Sequence, residues 1–325
     1  MHAAFRLALF LCAAVGAPAH SATAEFPLTF PSRPLRLVSP FSPGGGNDFV
    51  SRTMAAAMSK ELGQTVVVDN RPGGNTIIGM ELVANSAPDG YTLITTSSTQ
   101  AINATLYPKL PYDSVRSFQP ISLIGSSPLI IAVPVSSPIT SIPGLIAAAK
   151  AKPGELTYPS AGTGNATHLG GELFAAMAGI KMLHVPYKGS APGITDLIAG
   201  RMSVVFSTSA SVLPHIKSGK LRALATTGAK RSAVAPDLPT AAESLRGYES
   251  ATWYGIIGPA GMPKNVVAKL NGAIAKSVAE PDVRQRLLAQ GIDPESNTPE
   301  AFAAYFKSEI AKYAKILKIA GVKPE

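Results

Sequence analysis

The sequence predicts an α/β fold of two domains, with sheets rich in parallel strands and flanked by helices. Strand-like apolar runs alternate with helical stretches from residue 35 to about residue 250. Such alternation is typical of parallel strands joined by helices. It falls into two series, 35–130 and 131–250, and the chain of 325 residues is long enough for two domains of ordinary size.

The first series contains three short runs rich in Leu, Ile, Val and Thr, a composition typical of strands, at 35–41, 65–70 and 90–98. Helical patterns follow the first two runs, at 49–63 and 76–87. A long apolar region, 121–134, then lies between proline-rich stretches. We expect the chain to cross from the first domain to the second near 129–134.

The second series begins with a helix at 141–154, which has Pro143 near its start and Gly154 just past its end, as helices often do. Strands follow at 156–160, 183–187, 202–208 and 220–227, with helices at 165–179 and 191–200. A return crossing is expected near 250–257, before helices at 263–279, 281–290 and 299–320. The first domain would then comprise 31–130 plus 252–325, and the second 131–251.

The first 24 residues have the pattern of a secretory signal peptide. Arg6 precedes an apolar stretch from Leu7 to Val15, and Ala22 and Ala24 form an A-x-A arrangement. We therefore expect cleavage near Ala24. The single cysteine, Cys12, would leave with this segment, so the mature chain would have no thiol for catalysis or for an iron–sulfur or cysteine-ligated zinc site.

The composition is that of a globular protein, with 46% apolar and 15% charged residues. The net charge is +9, but the basic residues are scattered and only 6% of residues are aromatic. Neither a stacking platform for bases nor a zinc-finger spacing is found, so nucleic acid is not an expected partner.

Two glycine-rich turns stand between a predicted strand and a predicted helix, one in each series. The first is "FSPGGGND" (41–48) and the second is "PSAGTGNATH" (159–168). Unpaired amides and a partial positive charge at a helix N-terminus attract anions, and Gly44 and Gly45 would let the backbone approach closely. Such turns are also common without a ligand, but one per domain suits a solute with two anionic ends.

Neither turn fits a nucleotide-binding motif. The third glycine of G-x-G-x-x-G is replaced by Thr167, and G-x-x-x-x-G-K-[ST] does not occur. The sequence also lacks G-x-S-x-G, and His168 and Glu172 lack the second histidine of a zinc-hydrolase motif. A secreted hydrolase or lyase that uses Asp48 and His168 remains the alternative; a receptor would return its ligand unchanged.

Several segments together resemble the Bug receptors, the periplasmic solute-binding proteins of the tripartite tricarboxylate transporter family. They are "PFSPGGGND", "NRPGGNTIIG", "DGYTLITTSS", "AINATLYPKLPYD", "HLGGELF", "HVPYKGSAPGITDLIAG", "LPHIKSGKLRALATTG" and "WYGIIGPAGMP". The resemblance covers essentially the whole chain after the signal segment. It implies a two-domain periplasmic binding protein, type II-like, that closes on a small carboxylate in the cleft between its domains.

The resemblance also implies that backbone amides, hydroxyls and water at two facing helix ends hold the ligand, rather than an arginine. Neither a cofactor nor a metal is expected. The resemblance and the residue patterns together give the expected ligand-binding residues: Phe41, Ser42, Gly44, Gly45, Gly46, Asn47, Asp48, Ser97, Ser160, Ala161, Gly162, Thr163, Gly164, Asn165, Thr167, His168, Tyr187 and Ser207. The expected setting is the periplasm. The expected form is a monomer, which serves the membrane subunits of a transporter or a sensor kinase.

This chain departs from the family pattern at three positions near the expected cleft. Gln100 stands where the family often has histidine, Ser207 where it usually has an acidic residue, and Ala161 where it often has serine. These departures concern the specificity rather than the fold.

Overall fold

A computed structural model describes residues 30–228, 231 and 237–322. The predicted signal segment, with Arg6, Cys12 and Ala24, lies outside the described residues. The described strands are β1 (Leu35–Ser39), β2 (Val66–Asn70), β3 (Thr92–Ser97), β4 (Phe118–Pro134), β5 (Thr157–Ser160), β6 (Leu183–Pro186), β7 (Val205–Thr208), β8 (Leu221–Thr226), β9 (Ala251–Pro259) and β10 (Asp293–Pro294).

The α-helices alternate with these strands and then dominate the C-terminal part of the chain. They are α1 (Gly46–Leu62), α2 (Ile77–Ala84), α3 (Ser98–Leu106), α4 (Ile142–Ala151), α5 (Ala166–Ala178), α6 (Ser190–Ile198), α7 (Ser209–Lys217), α8 (Lys264–Ala279), α9 (Pro281–Leu288) and α10 (Pro299–Ile319). Two short 3₁₀ turns, Gly74–Thr76 and Ala241–Glu243, complete the described secondary structure.

The main sheet has the strand order β10-β4-β9-β3-β1-β2. Its parallel part consists of β2, β1 and β3, with Leu35 opposite Val66 and Arg36 opposite Thr92. On the other side of β3, the strands β9, β4 and β10 are antiparallel. The prediction of parallel-rich sheets therefore needs correction: the sheet is mixed, because the chain leaves along β4 and returns along β9 in the opposite direction.

The second group of strands is built on the C-terminal part of β4. Residues Leu129–Pro134 pair with β7 and with β8, in both cases antiparallel. Strands β5 and β6 form a parallel pair, which joins β7 through backbone hydrogen bonds from Ser203 and Val204 to the Thr157 carbonyl. One 17-residue strand thus belongs to both groups, and its N-terminal part pairs with β9 from Phe118 to Pro128.

Separate apolar clusters lie on the two groups of strands. Trp253, Phe302 and Phe306 pack with the main sheet, whereas Tyr158 and Phe174 pack with the second group. Trp253 is buried and its indole N–H donates to Glu309 Oε2 over 3.0 Å. The described chain from Pro31 onwards nevertheless forms one compact unit, so the predicted domain boundaries stay predictions.

Candidate ligand-binding site

A cavity of about 400 Å³ lies where the two groups of strands meet. Ten of its fourteen lining residues are caps or first-turn residues of five helices: α1, α3, α5, α6 and α7. The wall is formed by Phe41, Gly45, Gly46, Asn47, Ser97, Thr99, Ala161, Asn165, Ala166, Thr167, Ser190, Thr208, Thr252 and Tyr254. None of them carries a charge, so the positive potential of the helix ends is not cancelled at the wall.

The Asn47 side chain links the first glycine turn to strands β1 and β3. Its Nδ2 donates to the Thr95 carbonyl over 3.0 Å, and its Oδ1 accepts from Ser39 Oγ over 2.9 Å. Gly44 has φ +84, a conformation that favours glycine. Gly45 caps α1 without a side chain, so the first-turn amides of that helix receive no capping bond from it.

Asp48 lies beside this turn rather than at the cavity wall. Its Oδ2 accepts from the Gly44 amide over 3.0 Å and from Arg52 Nε over 2.9 Å, and its Oδ1 accepts from Asn70 Nδ2 over 2.8 Å. Burial raises the pKa of Asp48, but these hydrogen bonds outweigh burial and lower it. The carboxylate therefore stays ionised and stabilises the turn.

The second glycine turn places Asn165 at the cap of α5. Its Oδ1 accepts from the backbone amides of Thr167, at 2.8 Å, and His168, at 3.1 Å, and from Thr167 Oγ1 at 2.6 Å. These three donors fix the orientation of the side-chain amide. Its buried NH₂ group has no hydrogen-bond partner, although Asn165 lines the cavity. The Asn165 side chain thus caps two backbone amides of α5, and its NH₂ group remains as a donor at the cavity.

Strand β9 adds a second buried donor, the Tyr254 hydroxyl. Tyr254 lines the cavity and is 2% exposed, and its hydroxyl lies beside the Thr208 side chain without a hydrogen bond of regular geometry. Burial raises the pKa of Tyr254, so the hydroxyl keeps its proton and remains a donor. Leaving a polar group buried without a partner costs about 1–3 kcal/mol, which an acceptor bound in the cavity would recover.

The two sides of the cavity touch each other directly. The Ser42 amide and hydroxyl both donate to the Lys188 carbonyl, over 3.2 and 2.6 Å, and the Gly46 amide donates to Ser211 Oγ over 2.9 Å. A Cβ atom on Gly46 would lie 2.5 Å from Thr208 Oγ1 and 2.8 Å from the Tyr254 hydroxyl. The structure is therefore a closed arrangement in which the first turn contacts the opposite wall.

A cluster of ionisable side chains supports the second turn from beneath. The rings of His168 and His184 stack at 3.9 Å, Ser160 Oγ lies 2.6 Å from His184 Nε2, and the Gly164 amide donates to His168 Nδ1 over 2.9 Å. The Tyr158 hydroxyl donates to Glu172 beside them. Burial lowers the pKa of His168 to about 3, with a contribution from His184, and burial lowers that of His184 to about 4.

We expect this histidine pair to make the protein less stable in acid. Both pKa values fall from an ordinary 6.5 when the chain folds, so the stabilisation is complete above pH 6.5 and is lost as the pH falls towards 4. For His168 the loss amounts to about 2 kcal/mol at pH 5, and for half-exposed His184 it is smaller. Denaturant titrations of wild type and His168→Gln at pH 7.5 and 5 measure this.

The stability difference between wild type and His168→Gln should shrink by about 2 kcal/mol between the two pH values. An equal difference at both pH values would contradict the assignment of a neutral buried imidazole at position 168. This comparison cancels the contribution of carboxylates remote from position 168; Glu172 Oε1, 3.7 Å from His168 Nε2, belongs to the measured difference.

Eight of the eighteen expected ligand-binding residues line the cavity. They are Phe41, Gly45, Gly46, Asn47, Ser97, Ala161, Asn165 and Thr167. Ser160 and Ser207 line a small adjoining pocket of about 160 Å³, and Ser207 Oγ is buried without a partner. The remaining eight do not line this cavity: Ser42, Gly44, Asp48, Gly162, Thr163, Gly164, His168 and Tyr187. Their binding roles stay predictions.

Those remaining residues mostly shape or close the turns. Gly44, Asp48 and His168 bond within their own turns, Ser42 bridges to Lys188, and the Tyr187 hydroxyl donates to Asp196 over 2.6 Å. Gln100 faces away from the cavity, with its Nε2 bonded to the Ser114 carbonyl.

The expected set missed five polar or aromatic lining residues, namely Thr99, Ser190, Thr208, Thr252 and Tyr254. Ser190 begins helix α6 and Thr208 caps helix α7, and both helices follow short strands, which is a signal that the sequence offers. The position of Tyr254 depends on the pairing of β9, which residue patterns do not reveal.

Among the helices described, none combines the length and apolar character that a membrane-spanning segment requires. The described residues likewise contain no group of three His, Cys, Asp or Glu side chains suited to a metal ion.

Comparison with known proteins agrees with this architecture. Residues 50–322 match the tripartite tricarboxylate transporter family receptor. The chain is 41% identical over 290 residues, 89% of this chain and 86% of the relative, to the UPF0065 protein in the tcbD-tcbE intergenic region of Pseudomonas sp. strain P51. It is 35% identical over 298 residues, 91% of both chains, to the protein BugT of Bordetella pertussis.

Two solved structures are similar along nearly their whole length. R. palustris Rpa4515 with adipate has a TM-score of 0.89 and 36% identity, covering 91% of this chain and 100% of that one. MatC of Rhodopseudomonas palustris with bound malate has a TM-score of 0.84 and 29% identity, covering 89% and 100%. The resemblance to Bug receptors is confirmed, and so is the fold of a two-domain periplasmic binding protein. The chain belongs to the tripartite tricarboxylate transporter receptor family of periplasmic solute-binding proteins.

Proposed function

We propose that this receptor captures a small carboxylate with a second polar or anionic end, a C4 to C8 dicarboxylate or an aromatic acid of similar span. The observation that carries the proposal is the buried, unpartnered side-chain amide of Asn165 in the cavity, with the buried Tyr254 hydroxyl beside Thr208 as a second donor. Both can donate to an oxygen that the ligand supplies.

The surroundings of these donors favour an anion. Caps or first turns of five helices line the cavity, and the carboxylate of Asp48, beside the first turn, is already bonded to Arg52, Gly44 and Asn70. A hydrogen bond to a charged group contributes about 1.5–3 kcal/mol, so a few such bonds reach the roughly 8 kcal/mol of micromolar binding. An arginine at the wall is not needed for this affinity.

Part of the cavity wall suits a carbon chain or a ring. Phe41, Ala161 and Ala166 contribute apolar surface to it. Two related receptors of known structure hold adipate and malate, which are small dicarboxylates. A phosphate ester fits less well, because neither lysine nor arginine lines the wall to meet its second charge.

A receptor role fits the site better than catalysis. Asp48 and His168, the pair that a hydrolase or lyase would use, lie behind different turns and do not line the cavity. His168 accepts from the Gly164 amide, so its Nδ1 is not available as a base. The domains proposed to close on the ligand are 31–130 plus 252–325 and 131–251.

The proposed setting is the periplasm, after removal of residues 1–24. There the loaded receptor would deliver its ligand to the membrane subunits of a tripartite tricarboxylate transporter or present it to a sensor kinase. We propose that it acts as a monomer.

A thermal-shift panel tests the proposed function. It contains C4 to C8 dicarboxylates, aromatic acids, amino acids, sugars and phosphate esters. We expect dicarboxylates or aromatic acids to raise the melting temperature, because a ligand that binds only the folded state stabilises it. Analysis of the ligand afterwards should recover it unchanged. If only sugars or phosphate esters raise the melting temperature, or if the acid is converted, the proposal is wrong.

A further inference from the structure

A second cavity, of about 540 Å³, lies on the opposite side of β3 from the candidate ligand-binding site. Thr96 lines the second cavity and Ser97 lines the first, as expected for neighbouring residues of a strand, whose side chains point to opposite faces. The two cavities share none of their lining residues.

The wall of the second cavity is mainly aromatic and aliphatic. Phe118 and Ile257 contribute from β4 and β9, and Phe302, Ala303 and Phe306 contribute from α10. A flat ring would bury most of its surface against these side chains. Apolar contact of this kind favours a ring or a branched chain over a sugar or an extended polar molecule.

Two polar groups of the wall have no partner in the described part of the chain. Ser114 is 9% exposed, and its Oγ atom is buried without a hydrogen bond. Lys307, exposed at the rim, makes no ion pair or hydrogen bond with a described residue. The other polar side chains are engaged: Thr96 donates to Gln100 over 2.7 Å, and Gln100 donates to the Ser114 carbonyl over 3.1 Å.

We propose that this cavity is a second ligand site, which binds a small aromatic monocarboxylic acid. The ring lies among Phe118, Phe302 and Phe306, and the carboxylate accepts a hydrogen bond from Ser114 Oγ and pairs with Lys307. A dicarboxylate does not fit this wall, because a second carboxylate would be buried among apolar groups without a partner. Of the two cavities, only the first then accepts an acid with a second anionic end.

Crystals and solutions of the full mature protein test the second site with 4-bromobenzoate. Anomalous scattering from bromine should give a peak between Phe118, Phe302 and Phe306. Calorimetry should show the same probe binding in solution. Ala303→Leu fills the cavity with three extra carbon atoms, so this variant should lose that binding event and still fold.

Two further variants separate recognition from simple filling of space. Lys307→Gln should weaken binding of 4-bromobenzoate about tenfold, because a charge-assisted bond is lost. Ser114→Ala should also weaken it, while the melting temperature of the free protein stays equal or rises because an unpaired buried hydroxyl is gone. A bromine peak confined to the first cavity, no peak at all, or wild-type affinity in both Ala303→Leu and Lys307→Gln would overturn the proposal.

Discussion

Replacing Gly46 with alanine should weaken carboxylate binding by at least about 100-fold, or roughly 3 kcal/mol, while the protein still folds. The added Cβ atom would approach Thr208 Oγ1 to 2.5 Å and the Tyr254 hydroxyl to 2.8 Å. Thr208 belongs to the opposite wall, so the protein can relieve part of this overlap by opening. The closed arrangement would then no longer be accessible at ordinary ligand concentrations. Calorimetric titration with the acid that gives the largest thermal shift measures the loss.

The neighbouring glycine provides a matched control. A Cβ atom on Gly45 would meet its nearest neighbours, the Ser190 amide nitrogen and the Ser42 carbonyl, at 3.8 Å, which is ordinary contact. Gly45 has φ −87, which alanine adopts without strain. Gly45→Ala should therefore keep the closed arrangement and lose less affinity than Gly46→Ala does. Equal affinities of the two variants would show that closure does not depend on the space at Gly46.

Asn165→Asp should lower the affinity for the carboxylate by about 100-fold or more. Aspartate caps a helix as well as asparagine does, so the bonds to the Thr167 and His168 amides are retained. The change replaces the unpartnered NH₂ group with a carboxylate oxygen. The cavity would then present a negative charge to an anionic ligand, and the donor would be lost as well. Titration calorimetry measures the loss of affinity, and the melting temperature of the free protein checks that the helix cap is retained.

Asn165→Ser separates the two effects, because serine keeps the cap but adds no charge. It should lose about tenfold in affinity, the value of one hydrogen bond to a charged group. If Asn165→Asp binds its acid as tightly as Asn165→Ser does, the ligand is not an anion at this position. If both variants bind like wild type, Asn165 does not contact the ligand.

Local signals in the sequence predict most individual elements. The alternation of apolar runs and helical stretches locates β1, β2, β3 and the long C-terminal helices to within a few residues. Helices α3 and α7 are not predicted, because each begins directly after a strand without an intervening turn. The sequence therefore contains no turn signal that separates the strand from the helix. Pairing is harder, because the direction of β4 and β9 depends on contacts between distant parts of the chain.

The candidate site, too, is predictable from the sequence only in part. The two glycine turns are visible in the sequence because backbone conformation requires particular residues, as at Gly44. Whether a polar side chain faces the cavity or its own turn depends on hydrogen bonds that spacing does not reveal. Asp48 and His168 carry the chemistry expected of a site yet bond inward, whereas Tyr254, on a strand remote in sequence, faces the cavity.

The shared strand β4 has a consequence for how the chain folds. Its N-terminal part completes the main sheet and its C-terminal part is the centre of the second group, between β7 and β8. Neither half can finish its hydrogen-bonded ladder until this one segment is in place, and β9 joins it from more than a hundred residues away. Contacts so distant in sequence slow folding. They also tie the two halves together, so we expect a single cooperative unfolding transition rather than two independent ones.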